Sequence, residues 1–306
     1  MTSHDALLAE LEPTAARLLD RHLTTTKEWF PHELVPWSQG RDFEPGYEWS
    51  PEDGVLSDEV RSALFVNLLT EDNLPSYHRE IDRAFGRDSA WGTWVNRWTA
   101  EEGRHAFCIR DYLLVTRGVD PVELERARME TMETGYEALD KSLLNVCAYV
   151  SFQELATRVS HRNTGRFTEE PIAEKLLSRV AKDENLHMIF YRNIVTAALA
   201  LTPSQTMRAI TEEVVDFQMP GSVIPGFARK AVQMAKAGIY DLRIHHDDIV
   251  TPLLRQWGVW ELEGLDEDGE KAREELAAAV SALDSEASKF VERRDEAAAK
   301  KAARLA

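Results

Sequence analysis

Two short runs, Glu101-Glu102-Gly103-Arg104-His105 and Asp183-Glu184-Asn185-Leu186-His187, limit what this chain can fold into. Each carries an acid, then a Glu and a His at i and i+3. On an α-helix those two positions lie on one face, one turn apart, so a carboxylate oxygen and an imidazole nitrogen can reach one cation together. A single Glu-x-x-His is a weak signal, because solvated helix faces carry one by chance. The second copy strengthens it, and so does a lone Glu ahead of each. Glu71 lies 31 positions before Glu102, and Glu154 lies 30 positions before Glu184. The half-sets Glu71/Glu102/His105 and Glu154/Glu184/His187 are offset by 82 or 83 residues. Two helices joined by a turn occupy about that length if each ligand sits near mid-helix.

Four inward Glu and two His, with Glu-x-x-His on two of four helices, is the di-iron or di-manganese carboxylate pattern of ferritin-like bundles. The expected fold is therefore all-α, a ferritin-like four-helix core with additional flanking helices. Four carboxylates carry four negative charges, which two divalent ions cancel. Without metal, like charges at short range push the carboxyl pKa values up. Oxygen donors plus imidazole nitrogen select iron or manganese over soft-ligand metals. The set leaves coordination positions free for dioxygen, and the protein then contributes the dry cavity, the metal spacing and the substrate register.

At 306 residues the chain can bury a large core. Its 36 Lys+Arg against 53 Asp+Glu give a formal net charge of −17, which argues against a nucleic-acid binder. Cys108 and Cys147 fall in apolar helical stretches and fit a reducing compartment better than a disulfide scaffold. The N-terminus lacks a basic region followed by an apolar run, and no stretch approaches the roughly 20 apolar residues that span a bilayer. The longest candidate, Ile194 to Leu201, has eight residues. These features point to a soluble, cytoplasmic protein without a membrane partner.

Along the chain, helical spacing predicts a first helix over 5–24. Residues 27–56 combine Pro31, Pro36 and Pro45 with Trp29, Phe30 and Trp37, and predict a long irregular segment anchored by aromatics. Ser57-Asp58-Glu59 is an N-cap followed by acids, and opens a helix that reaches Glu71. Pro75 crowds the carbonyl of Glu71 and predicts a kink there. Further core helices are expected over 89–117, 141–160 and 172–201. A polar crossover helix is expected over 121–137 and a polar loop over 161–171. Helix 141–160 is apolar nearly all round, so Glu154 within it is costly unless paired or metal-bound. Later helices are expected at 226–238 and 246–256. From about Asp266 the composition shifts to Ala, Glu, Lys and Arg. We divide the chain into a helical domain, 1–262, and a charged, solvated or loosely attached helical tail, 263–306.

Residues beside the ligands should orient them. Asp183 and Glu101 flank the site, and Asp183 is expected to accept the remaining ring N–H of His105. Thr157, one turn after Glu154, either faces the dioxygen site or bonds back to its own helix.

The four segments Thr70-Glu71-Asp72-Asn73-Leu74-Pro75, Trp98-Thr99-Ala100-Glu101-Glu102-Gly103-Arg104-His105, Ser151-Phe152-Gln153-Glu154-Leu155-Ala156-Thr157 and Asp183-Glu184-Asn185-Leu186-His187 resemble the four motifs of soluble acyl-[acyl-carrier-protein] desaturases. Ser160-His161-Arg162-Asn163-Thr164 resembles the stretch that follows the third motif. The resemblance covers roughly residues 5–262. It implies a homodimer with two Fe2+ ions per subunit, manganese being the alternative metal. It further implies dioxygen, two electrons from ferredoxin, and a cis double bond placed in a saturated acyl chain on acyl carrier protein. By position it implies Glu71, Glu102, His105, Glu154, Glu184 and His187 as iron ligands and Thr157 near dioxygen. It also implies Trp37, with Asp183 and His105, as the electron route. Asp72, Gly103 and Leu186 depart from the family's common residues, and none is a ligand. An acidic carrier requires a local basic face, for which Arg229, Lys230, Lys236 and Arg243 are candidates. The competing readings are another di-metal oxidase (Fe/Fe or Mn/Fe) or N-oxygenase on the same scaffold, and a non-catalytic iron-binding bundle.

Overall fold

Ser3 starts the first helix, its hydroxyl accepting from the Ala6 N–H at 3.3 Å. Helix α1 (His4–Thr25) then buries Leu7, Leu11, Ala15, Leu18 and His22 along one stripe. The computed structural model describes residues 2–137 and 141–305, and among these it contains helices and turns but no strand. Residues 26–57 cross the surface as irregular chain with three short 3-10 turns, as their proline content predicts.

The four core helices are α2 (Asp58–Asp72), α4 (Ser89–Val115), α6 (Leu143–Phe167) and α7 (Pro171–Leu201). Ser57 caps α2 by accepting from the Val60 N–H at 3.3 Å. Instead of a kinked single helix, the chain breaks at Asn73 and resumes as α3 (Leu74–Phe85), with Pro75 in its first turn. A proline there has no N–H to lose to the preceding turn. The crossover is α5 (Pro121–Thr134), capped by Asp120.

The loop expected over 161–171 is not a loop. Helix α6 runs on to Phe167, and only residues 168–170 link it to α7. Gly165 shows why. A Cβ there would lie 3.4 Å from the Glu174 Cα and 3.4 Å from the Leu177 Cβ. The last turn of α6 is therefore packed directly on α7, and tertiary burial overrides a turn-like composition.

Two apolar clusters lie above and below a polar layer. One contains Phe85, Trp91, Trp94, Phe190 and Tyr191, with Trp94 and Phe190 stacked at 3.6 Å between ring centroids. The other contains Leu64, Leu68, Ile109, Leu113 and Leu177. Along α4 and α7 the residues between these clusters are Glu101, Glu102, His105, Asp183, Glu184 and His187, all buried.

After α7 come α8 (Pro203–Val215), α9 (Phe227–Lys236), α10 (Leu242–Ile244), a π-helical turn at His245–Val250, α11 (Thr251–Trp257) and α12 (Glu267–Leu305). The expectation of a loosely attached tail fails for the first half of α12. Ala272, Leu276 and Ala287 are buried, the Thr211 hydroxyl of α8 donates to the Ala272 carbonyl at 3.0 Å, and Arg243 pairs with Asp284 at 2.7 Å. No described helix is long and apolar enough to cross a membrane.

Candidate metal centre

Each core helix brings its acid to the bundle interior. Glu71 comes from the last turn of α2, Glu102 and His105 from α4, Glu154 from α6, and Glu184 and His187 from α7. All six are buried, and His105, Glu154 and His187 show no exposure at all. They form two groups, Glu71/Glu102/His105/Glu184 and Glu102/Glu154/Glu184/His187, and within each the donor atoms lie within 4.8 Å of one another. Glu102 and Glu184 belong to both groups. Each group adds one imidazole and one further carboxylate of its own.

The inner distances are short. His105 Nδ1 is 3.0 Å from Glu184 Oε1, 3.4 Å from Glu102 Oε2 and 3.6 Å from Glu71 Oε2. His187 Nδ1 is 2.7 Å from Glu102 Oε1 and 3.5 Å from Glu154 Oε2. Yet Glu102 Oε1, Glu154 Oε2, Glu184 Oε1 and both Nδ1 atoms are buried without a hydrogen-bond partner among the described residues. One buried polar atom left unpaired costs about 1–3 kcal/mol. Five that converge on one space, three on carboxylates and two on imidazoles, fit a pair of divalent cations.

The electrostatics agree. Burial, with the charges of Glu102 and Glu184, pushes the Glu154 carboxyl well above the usual range. Burial and the Glu184 charge raise Glu102 as well. Burial acts to raise Glu71 too, but His105 and His161 outweigh it and hold that carboxyl low. Four carboxylates thus cannot all stay charged in this layer unless cations enter it.

The outer atoms of the ligands are held by a ring of partners. The acid before each Glu serves the histidine of the opposite motif. Glu101 Oε2 hydrogen-bonds His187 Nε2 at 3.0 Å, whereas Asp183 Oδ2 faces His105 Nε2 at 3.5 Å, and that nitrogen, against expectation, has no hydrogen-bond partner among the described residues. Both imidazoles therefore turn Nε2 toward an acid and leave Nδ1 for a metal. Trp98 Nε1 donates to Glu154 Oε1 at 2.9 Å, and His161 Nε2 lies 2.9 Å from Glu71 Oε1. The Thr157 hydroxyl lies 2.9 Å from Glu184 Oε2 and 3.1 Å from the carbonyls of Gln153 and Glu154. Its two expected roles, facing the site and bonding back to the helix, thus share one hydroxyl.

Trp37 is a correction. Its ring is half exposed, and its Nε1 donates to the His32 carbonyl at 3.1 Å, away from the acids. The tryptophan at the site is Trp29. It is buried, donates to Asp183 Oδ2 at 2.7 Å, and stacks on His105 with 6.4 Å between centroids. Arg104 and Arg179 lie over its ring at 4.8 and 5.3 Å. Both prolines and aromatics recur through 27–56, so spacing alone could not choose between the two tryptophans.

His161 and His22 were also missed. His161 falls in the 161–171 stretch whose composition predicts a loop, but it lies in α6, two turns from Glu154 on the same helix. His22 continues the apolar stripe of α1, and that break in pattern was the available signal. Its Nε2 lies 2.8 Å from Glu101 Oε2.

Two cavities flank the centre and share Thr70 and Glu71 as wall. One runs past Glu102 and Trp98 to Tyr77, Tyr149 and Val150. The other runs past Thr157 and His161 to Met219, Phe227 and Tyr240.

A family model described as fatty acid desaturase matches residues 3–305. The chain is 49% identical over 294 residues to DesA1 of Mycobacterium tuberculosis, a protein assigned by name to the acyl-[acyl-carrier-protein] desaturases, covering 93% of this chain and 87% of that one. It is 29% identical over 289 residues to the chloroplastic stearoyl-[acyl-carrier-protein] 9-desaturase 6 of Arabidopsis thaliana, covering 89% of this chain and 72% of that one. Among solved structures, DesA2 of M. tuberculosis H37Rv superposes with a TM-score of 0.72 at 32% identity, covering 88% of this chain and 99% of that one. With nearly its whole length matched, the chain belongs to the fatty acid desaturase family.

Proposed function

We propose that this protein is an acyl-[acyl-carrier-protein] desaturase that uses a di-iron centre, dioxygen and two electrons from ferredoxin to place a cis double bond in a saturated acyl chain. The observation that carries the reading is the pair of four-residue donor groups joined by Glu102 and Glu184, set directly beside a mainly apolar cavity. The overall reaction balances as one –CH2–CH2– unit, dioxygen, two electrons and two protons giving –CH=CH– and two waters. Two ferrous ions, when bound, supply the redox chemistry that reduces dioxygen to an oxidant able to break an unactivated C–H bond.

The chain's own residues do the rest. Thr157, Trp98 and His161 each fix one oxygen of Glu184, Glu154 and Glu71, so the remaining oxygens face inward. Glu101 bonds His187 Nε2 and Asp183 faces His105 Nε2, which turns Nδ1 of both rings inward. Trp29, which donates to Asp183 and lies under the part-buried Arg104 and Arg179, themselves paired with Asp183, takes the place of Trp37 in the electron route through His105. The apolar clusters on either side keep the layer dry. We further assign the protein as a cytoplasmic homodimer, on its family resemblance and its two buried free thiols.

The test is product analysis. Iron-loaded protein is incubated with hexadecanoyl- or octadecanoyl-carrier protein, ferredoxin, its reductase and dioxygen, and the lipids are examined for a cis alkene. Alkene formation supports the proposal. Full iron loading with oxygen consumption and no alkene on either substrate would transfer the site to a different di-metal oxidase.

A further inference from the structure

The apolar stripe of α1 ends on one polar side chain, His22, which follows Leu7, Leu11, Ala15 and Leu18 at helical spacing and is buried with them. Helix α1 is seated on α4 near its start. Trp91 Nε1 donates to the Leu8 carbonyl at 3.1 Å, and Glu12 accepts from the Ala90 N–H at 3.0 Å. That seat brings His22 to the acid that precedes the α4 ligands. Its Nε2 lies 2.8 Å from Glu101 Oε2 and 3.2 Å from the Thr26 hydroxyl. The Thr26 hydroxyl donates its one hydrogen to the His22 carbonyl at 2.8 Å, so toward the ring it can only accept. The Glu101 carboxylate likewise only accepts. His22 Nε2 therefore carries the hydrogen and donates to both.

Glu101 Oε2 receives a second donor, His187 Nε2, at 3.0 Å, while Oε1 pairs with Arg97 at 2.5 Å. The His22 ring also stacks on His187, with 5.8 Å between centroids, and stands edge-on to Trp94 at 5.0 Å. His22, Glu101 and His187 thus form a third group of donor atoms within 4.8 Å of one another. It is a poor seat for a third cation, because Arg97 and Arg104 already bring two positive charges to Glu101. Its effect falls on His187 instead, which belongs to the Glu102/Glu154/Glu184/His187 group. The opposite side is built differently. Asp183 Oδ2 takes the Trp29 hydrogen at 2.7 Å and leaves His105 Nε2 3.5 Å away without a hydrogen bond. One ligating imidazole is tied at its outer nitrogen, and the other is only faced by an acid.

We propose that His22 is a positioning residue for one of the two metal positions, the one served by His187. Helix α1 thereby completes a centre whose ligands all come from the four core helices. This inference rests on the di-metal reading of the site. By donating to Glu101, His22 fixes the rotation of that carboxylate, and the carboxylate holds the His187 ring with Nδ1 inward. No hydrogen bond does the same for His105. The two positions therefore hold their ions unequally. The His187 position is the tighter, and it alone depends on His22.

The test is anaerobic titration of the metal-free full chain with ferrous iron alone, reading the Kd of each bound ion by competition with a chelator. The parent is expected to take up two ions in two distinct steps. His22→Leu keeps the apolar stripe and removes the donor. It is expected to weaken the tighter step by about 10–100-fold, as for the loss of other outer partners, and to leave the other within about threefold. His22→Phe, which keeps a ring against His187 and Trp94, carries the same expectation, so the result does not hang on one variant folding. His22→Gln keeps an amide donor in place of Nε2 and is expected to bring the tighter step back to within about threefold of the parent. Leu11→Ala, buried three turns earlier on the same stripe, is expected to lower the thermal midpoint and leave both steps unchanged, which separates a loosened α1 from a lost hydrogen bond. Parent affinity at both steps in His22→Leu and His22→Phe overturns the inference. So does equal weakening of both steps, a Gln variant as weak as Leu, or a parent whose two ions bind alike. A parent that binds no iron at all would sink the di-metal reading and this inference with it, a distinguishable result.

Discussion

At the scale of single residues, the proposed electron route turns on the tryptophan that touches Asp183. Trp29 Nε1 donates to Asp183 Oδ2 at 2.7 Å, whereas Trp37 Nε1 donates to the His32 carbonyl. Trp29→Phe keeps a ring on His105 and removes the donated hydrogen bond. Partners of this outer kind typically change metal affinity or activity by about 10–100-fold when lost. Ferredoxin-dependent turnover of Trp29→Phe is expected to fall by about tenfold at unchanged metal content. Trp37→Phe is expected to stay within twofold of the parent, and stopped-flow reduction by ferredoxin separates the two. The six inward side chains were legible because the chemistry demands a fixed spacing on a helix. Trp29, His22 and His161 were not, because their roles depend on which surface folds over the ligands, and no local periodicity records that.

At the scale of elements, the helices that carry apolar stripes were legible, and their ends were less so. Helix α6 overran its expected end because Gly165 lets α7 approach closely, a long-range contact that turn propensity cannot foresee. Helix α12 is charged along most of its length, yet Leu276 is fully buried against the bundle. Leu276→Ala is expected to cost about 2–5 kcal/mol in denaturant unfolding, as for other buried leucines. A loss below about 0.5 kcal/mol would mean that α12 is not docked in solution. The π-helical turn at His245–Val250 carries a second consequence. Burial lowers the His245 imidazole to about 4 from its usual 6.5. The unfolded chain therefore takes up a proton between those values that the folded chain refuses. The stability this neutral histidine contributes is fully present above pH 6.5 and is lost as pH falls toward 4, by about 3 kcal/mol at most. Comparing unfolding free energies at pH 7 and pH 4.5, His245→Gln should lose less on acidification than the parent. An equal loss in both proteins would contradict a buried, neutral His245.

At the scale of the whole molecule, a bundle of four long helices places a highly charged layer between two apolar clusters, an arrangement that is costly without counter-ions. The repeat of half-sets 82 or 83 residues apart made this bundle readable from sequence, whereas the cavities are packing outcomes that no motif encodes. The same charge balance makes metal the central term of the account. Ions that bind only the folded chain stabilise it by about 4 kcal/mol at a thousandfold excess over Kd. The most direct measurement is the metal-to-chain ratio of protein equilibrated with excess ferrous iron and then desalted, for the parent, Glu102→Ala and His187→Ala. The account predicts two iron ions per parent chain. It predicts fewer than one in Glu102→Ala, which removes a carboxylate shared by both groups, and a loss of at least one in His187→Ala. A parent chain that retains no iron, or a Glu102→Ala chain that still holds two, would contradict it.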